Sequence, residues 1–340
     1  MNKIYLYFTS IAFIFIMAAC DNSKPTELKI QENDECQLNC PTAIVKATDS
    51  AIIVIDRSRA YEINTLSGMM STIDIETEMN DFANFLAKIS GQQLTDSTPI
   101  PPLALLGFGA NSNYKLFASA LPTIDSTGMQ ILPTTIFHNG KDFKFLFDDK
   151  ANIATNVPQG NFYYYLSDSI IMTNYAMQCA QSEKPNDIPS IMLFVKQKSD
   201  EFVLQKTIEL PRCEKENAAA ETNVMNSVYT YVSQPKFATG KGKIFASIAG
   251  SVFEIDKDGT AVKITESSKT IYTFKVENET ITTIEGSDGN FNKIVEYDFD
   301  GKVKHERDIV ISGKSKCCQY IDGKLYIITL KEQNFYLTIM

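Results

Sequence analysis

Hydrophobic and polar positions change pattern twice along this chain. An apolar run over residues 4–17 follows a single Lys3 and stops at Met17-Ala18-Ala19-Cys20, where polar sequence takes over. The run is too short for a comfortable permanent span. Beyond it, apolar residues come in short alternating or β-branched stretches. These are 43–46, 51–56, 134–137, 142–147, 161–166, 191–197, 201–208, 243–248, 270–276, 280–284 and 324–330. Gly, Asn, Asp and Ser separate them, with explicit turns at Asn139-Gly140, Asp258-Gly259, Asp300-Gly301 and Asp322-Gly323. Such punctuation predicts hairpins, because the amide or carboxylate supports the turn while Gly accepts positive φ. Two regions depart from the strand pattern. Met79, Phe82, Phe85, Leu86 and Ile89 recur at helical spacing behind Glu78 and Asp81 and predict a helix over 77–89. The Ala-rich stretch 214–229 predicts a second helix, and the Pro-rich stretch 97–102 a stiff connection. Both helices read as insertions on one face of a larger β body, with their apolar residues serving first as core contacts.

Weak internal repetition turns the strands into an architecture. Tyr114-Lys115-Leu116-Phe117-Ala118-Ser119-Ala120 echoes Gly242-Lys243-Ile244-Phe245-Ala246-Ser247-Ile248. Their separation is close to three periods of about 43 residues, and 253–259 echoes 295–301 one such period on. The segment 323–328 lies nearly two periods beyond 242. A period in the forties matches a four-stranded propeller blade, which buries its faces only by stacking against neighbours around an axis. The expected fold is therefore all-β, a seven-bladed β-propeller with six and eight blades as the adjacent counts. Residues 334–339 are expected to close the ring against 43–46. The clearest likeness, over 241–340, resembles bacterial β-propellers. With no Trp, the chain lacks the WD blade mark and departs from the tryptophan-bearing blades of pyrroloquinoline-quinone-type repeat proteins. The competing reading is two unrelated β domains that share a common strand-turn vocabulary.

Composition adds an address. The 340 residues hold 32 Lys plus Arg against 41 Asp plus Glu, a net charge of -9, with 44% hydrophobic residues. That is a globular composition with enough chain for a sizeable core. Its acidity weighs against nucleic acid or anionic lipid as a general partner. Ala18-Ala19-Cys20 at the end of the apolar run resembles the lipobox of bacterial lipoprotein precursors. The resemblance implies cleavage before Cys20, acylation of Cys20 with palmitate-type chains, and a body held at the cell envelope outside the cytoplasm. The chain then divides into a signal peptide over 1–19, a lipid-anchored polar tether over 20–35 and a single propeller domain over 36–340. Asp21 resembles the inner-membrane retention signal of enterobacterial lipoproteins, and the choice between inner and outer membrane stays open.

Candidate chemistry is sparse. Cys36, Cys40, Cys179, Cys213, Cys317 and Cys318 form an even set that favours disulfides in an oxidising compartment. Local closure points to Cys36 with Cys40 and Cys179 with Cys213. Cys317 and Cys318 are left to a vicinal ring, to reduced thiols or to other partners. A zinc knuckle at 36–40 lacks a well-spaced second pair. His138 and His305 read as rim residues, and no Gly-x-Ser-x-Gly elbow occurs. The segment 240–243 lacks full P-loop spacing. Asp256, Asp258, Asp298 and Asp300 are calcium candidates by ligand type, although hairpin turns account for them. No cofactor is expected. The functional expectation is a membrane-tethered protein-binding or scaffold lipoprotein, serving envelope complex assembly or toxin neutralisation. The alternative is a propeller lyase, hydrolase or small-solute binder using carboxylates, Tyr or Lys in an axial polar pocket.

Overall fold

The computed structural model describes residues 25–56, 59–91, 103–108, 115–125, 128–145, 164–166, 170–175, 190–196, 202–209, 236–248, 250–256, 260–287 and 290–340. Strand β1 (Thr26–Lys29) comes first, before β2 (Pro41–Thr48), β3 (Ala51–Asp56), β4 (Arg59–Asn64) and β5 (Met70–Thr72). Helix α1 (Glu76–Ser90) leads to β6 (Ala104–Phe108), β7 (Lys115–Asp125), β8 (Gly128–His138) and β9 (Phe143–Phe145). Next come β10 (Tyr164–Leu166), β11 (Ile170–Tyr175), β12 (Ser190–Lys196) and β13 (Phe202–Glu209). A fourth group is β14 (Lys236–Gly240), β15 (Lys243–Ile248), β16 (Ser251–Ile255) and β17 (Ala261–Glu266). A fifth is β18 (Thr270–Glu277), β19 (Thr280–Ser287), β20 (Asn290–Tyr297) and β21 (Val303–Asp308). The chain ends with β22 (Lys314–Ile321), β23 (Lys324–Lys331) and β24 (Asn334–Ile339).

Among the described residues these strands make six four-stranded antiparallel sheets. Five are consecutive meanders, and the sixth has the order β22-β23-β24-β1. Each sheet contacts the next, β22 meeting β2 at the seam, so the sheets form a closed ring of six blades. The burial gradient across a blade follows from that ring. Every residue of β3 is buried, because neighbouring blades cover both of its faces. The outermost strand β21 is exposed along its whole length, and its sequence, Val-Lys-His-Glu-Arg-Asp, is correspondingly polar. Between blades four and five, Phe245, Phe274, Ile281 and Val295 form one apolar cluster. Each such aromatic or aliphatic side chain contributes about 1.5–3 kcal/mol on burial.

Six blades correct the expected seven. The echo between 114–120 and 242–248 falls on β7 and β15, the second strands of blades two and four. Those segments are two blades apart, not three, because long connections lengthen the repeats between them. The later echoes, on β16 and β20 and on β15 and β23, do fall on equivalent strands.

The seam is also corrected. The last strand, β24, pairs with β1 in the register Thr26↔Ile339 to Lys29↔Tyr336, while 43–46 lies in the innermost strand of blade one. The stretch expected as a tether over 20–35 therefore supplies the closing strand from Thr26 onward. Ile30 is 1% exposed in the cluster that joins blades six and one. Gly68 (φ 73) locks this seam, since a Cβ there would lie 2.3 Å from the Lys29 carbonyl oxygen. Gly301 (φ 78) repeats the arrangement, with a Cβ position 2.2 Å from the Ile264 carbonyl oxygen in the outer strand of the preceding blade.

Helix α1 confirms the predicted 77–89 element and wedges between blades one and two. Its Phe82 is fully buried against Phe143, with ring centroids 5.4 Å apart, and belongs to the same cluster as Ile53 and Phe117. The helix stops at Gly91, whose left-handed backbone (φ 66) lets its N–H reach the Ala87 carbonyl. The predicted 214–229 helix lies outside the described residues.

Candidate functional site

The order of strands sorts the connections onto the two ends of the propeller. One end carries the first-to-second and third-to-fourth strand turns, of which the longest is 109–114. Cross-blade contacts tie several of these turns together. Lys241 pairs with Glu279, Lys275 Nζ donates to the Gly323 carbonyl at 3.3 Å, and Lys46 pairs with Asp322 at 2.6 Å. At the other end the described strands enter and leave the second-to-third and blade-to-blade connections, including 30–40, 73–103, 146–163, 176–189 and 210–235, and α1 in the second of these runs back along blade two to its Lys115 and His138 end. All the long connections thus leave described strands from one end.

The calcium candidates resolve into turns. Asp256 Oδ1 accepts the Thr260 N–H at 2.8 Å, and Asp298 Oδ1 accepts those of Asp300 and Lys302 at 3.0 and 2.8 Å. Asp300 is exposed on the second of these turns, and Asp258 lies outside the described residues. No group of three or more metal-ligating side chains occurs among the described residues.

Four of the disulfide candidates are free thiols here: Cys36, Cys40, Cys317 and Cys318. Cys36 is buried with its Sγ 3.1 Å from Thr72 Oγ1, while Cys40 is exposed, so the expected local pair is not formed. Cys317 belongs to the cluster facing blade one and Cys318 to the cluster facing blade five. Neighbours in a strand point to opposite faces, which keeps the vicinal ring from forming. Burial pushes the Cys317 thiol up to about 12 and the Cys318 thiol higher still, although Lys236 opposes both. Burial in turn pulls the Lys236 ammonium below its ordinary value, against the field of the two sulfurs. Protonated thiols of this kind are poor nucleophiles. Cys20, Cys179 and Cys213 lie outside the described residues.

The two histidines are far apart in the ring, and only one is on a rim. His305 is exposed on β21, opposite Glu296. His138 is buried at the end of β8, its ring 4.4 Å from that of Phe143, and neither ring nitrogen has a hydrogen-bond partner. Its expected rim position is corrected by α1, which covers that end of blade two. Burial drives its pKa down, with Glu78 opposing the shift and Lys115 adding to it.

Sequence reasoning passed over two further constellations. Glu285, 4% exposed, accepts hydrogen bonds from Thr283 Oγ1 at 2.8 Å, Tyr297 Oη at 2.6 Å and Ser267 Oγ. Burial and the hydrogen bond to Glu285 raise the Tyr297 pKa well above the usual phenol range. This satisfied network is internal scaffolding.

The second constellation is a polar cleft of about 360 Å³ between blades five and six, at the short-turn end. Strand register builds one wall as a row, with Lys275 opposite Thr282 and Thr282 opposite Glu296. Arg307 stands opposite Ile294 on the adjoining strand, and Tyr320, Leu325 and Met340 close the cleft from blade six. Lys275 is engaged, with Glu277 at 2.7 Å and its ammonium 5.3 Å from the Tyr320 ring centroid. The Tyr320 hydroxyl is raised by burial and by the nearby Cys318, with Arg307 pulling the other way. The alternating row was legible in principle, but partners two strands away are invisible without register.

No protein-family model matches the chain, and no curated protein matches it. Similar solved structures include a luciferin-regenerating enzyme, at 7% identity and TM-score 0.46, covering 92% of this chain and 95% of that one. The calcium-binding protein regucalcin from Agrobacterium tumefaciens strain C58 is similar at 9% identity and TM-score 0.46, covering 90% and 91%. BamB from Moraxella catarrhalis follows at 10% identity and TM-score 0.36, covering 86% and 67%. The propeller assignment stands on the closed ring of six sheets, and no activity is carried over from these proteins.

Proposed function

We propose that this protein is a lipid-anchored, extracytoplasmic binding platform that meets a protein partner with the end from which the long connections leave the strands. The observation that carries this reading is that every long connection leaves and re-enters the described strands at one end, opposite the end where the short turns join them. A rigid ring with long connections leaving one end can hold a partner across several blades. The lipobox-like leader supplies the anchor. Five residues lie between Cys20 and Thr26, and the chain from one to the other reaches no further than about 20 Å. Since β1 starts beside Ile339 at the short-turn end, the anchor draws that end toward the membrane. The strand ends that lead into the long connections then lie away from the bilayer.

Affinity capture from the native envelope tests the reading. Wild type is compared with a variant in which 210–235 is replaced by a short Gly-Ser link between β13 and β14. The expected result is a stoichiometric partner that the wild type retains and the variant loses, while both stay membrane-bound. Intact mass shows acylated Cys20, and Cys20→Ser releases the protein from the membrane. Equal capture by both forms overturns the binding face, and an unmodified Cys20 overturns the anchor.

A further inference from the structure

We propose that the cleft between blades five and six binds a small zwitterion, a molecule that carries an ammonium and an anionic group a few ångströms apart. The argument is one of charge satisfaction. Of the four charged side chains lining the cleft, Lys275 and Glu277 are paired with each other. Glu296 and Arg307 remain. They sit on adjacent strands of one sheet, two register steps apart and on the same face, and both line the cleft. Neither makes an ion pair or a side-chain hydrogen bond among the described residues. A simple anion that satisfied Arg307 would be repelled by Glu296, and a simple cation would meet the converse penalty. A zwitterion satisfies both at once. Its carboxylate or phosphate takes the guanidinium fork and its ammonium takes the carboxylate, each through a charge-assisted hydrogen bond. Ile294 and Leu325 add an apolar lining for a short carbon skeleton. A volume of about 360 Å³ lies at the small end of ligand sites and suits a molecule of this size. Free amino acids and ethanolamine-phosphate headgroups share this chemistry. The cleft lies at the short-turn end, so it is distinct from the partner face proposed above.

Calorimetric titration of the full-length protein in detergent tests the site. The probes are L-alanine and glycerophosphoethanolamine, with acetate and methylammonium as single-charge controls. At least one zwitterion is expected to bind with a Kd below about a millimolar, and each control at least about tenfold more weakly. Saturation by alanine alone identifies a free amino acid as the source, and saturation by glycerophosphoethanolamine alone identifies a headgroup. Arg307→Gln and Glu296→Gln should each weaken binding about tenfold or more, with unchanged thermal midpoints because both side chains reach the surface. The charge-swapped pair Glu296→Arg with Arg307→Glu keeps both charges in the cleft and should recover part of the affinity. Absence of zwitterion binding, equal binding of a single-charge control, or indifference to both neutral variants overturns the site.

Discussion

At the scale of single residues, His138 shows how a polar side chain is forced into an apolar setting. It ends β8 beneath α1, against Phe143, with Glu78, Asp81, Asp142 and Lys115 as the charges around it. Its folded pKa is depressed below the ordinary value of 6.5, so the native state favours the neutral ring. The unfolded chain takes up the proton first as pH falls. Native stability is therefore intact above about pH 6.5 and declines from there down through the folded pKa. Denaturant midpoints should drop between pH 7.5 and pH 5.5 in the wild type and drop less in His138→Phe. An identical pH dependence in the two proteins would rule the histidine out as the source. The same neighbourhood explains why sequence placed this residue on a rim: His138 stands directly before the exposed Asn139-Gly140 turn, and only the helix from 76 onward covers it.

At the scale of elements, the seam between β24 and β1 is the point on which the ring depends. The strand is only four residues long, and its sequence, Thr-Glu-Leu-Lys, is mostly exposed. Its contribution is to pair the edge of β24 and to lead Ile30 into the core shared with Ile328 and Leu337. Ile30→Ala should cost about 2–5 kcal/mol in chemical denaturation. Removing everything before Glu32 should do more, because it leaves β24 as an unpaired edge that recruits other chains. Size-exclusion chromatography should then show oligomers where the full chain is monodisperse. A truncated protein that stays monomeric with an unchanged melting curve would remove β1 from the closure. The helix over 77–89 was legible because five apolar residues repeat at its period. Strand β1 was not, since four polar-leaning residues carry no periodic signal of their own.

At the scale of the whole molecule, the two ends of the propeller differ in what they carry. Short turns, tied by Lys241–Glu279 and Lys46–Asp322, form one end. Exposed ion pairs of this kind are screened by solvent and contribute little, so they set register between turns more than stability. At the other, the described strands lead into the long connections. Anchoring through Cys20 should shield the first end alone. Amine-reactive footprinting on native membranes should therefore label Lys302 and Lys324 more slowly than in the Cys20→Ser protein, while Lys314 at the far end labels at the same rate in both. Equal shielding of all three, or shielding of Lys314 alone, would reverse the orientation.

Sequence by itself determined the local alphabet of this protein. β-branched runs and Asx-Gly turns specified hairpins, and the 253–259 and 295–301 segments marked equivalent strands. These features rest on interactions among near neighbours, which spacing reveals. The blade count, the seam, the opposite faces of Cys317 and Cys318 and the cleft beside Arg307 were decided only in three dimensions. Each depends on which strand lies beside which. Insertions between blades hide that order in the sequence, because a long connection changes the interval between repeats without changing how the strands pair.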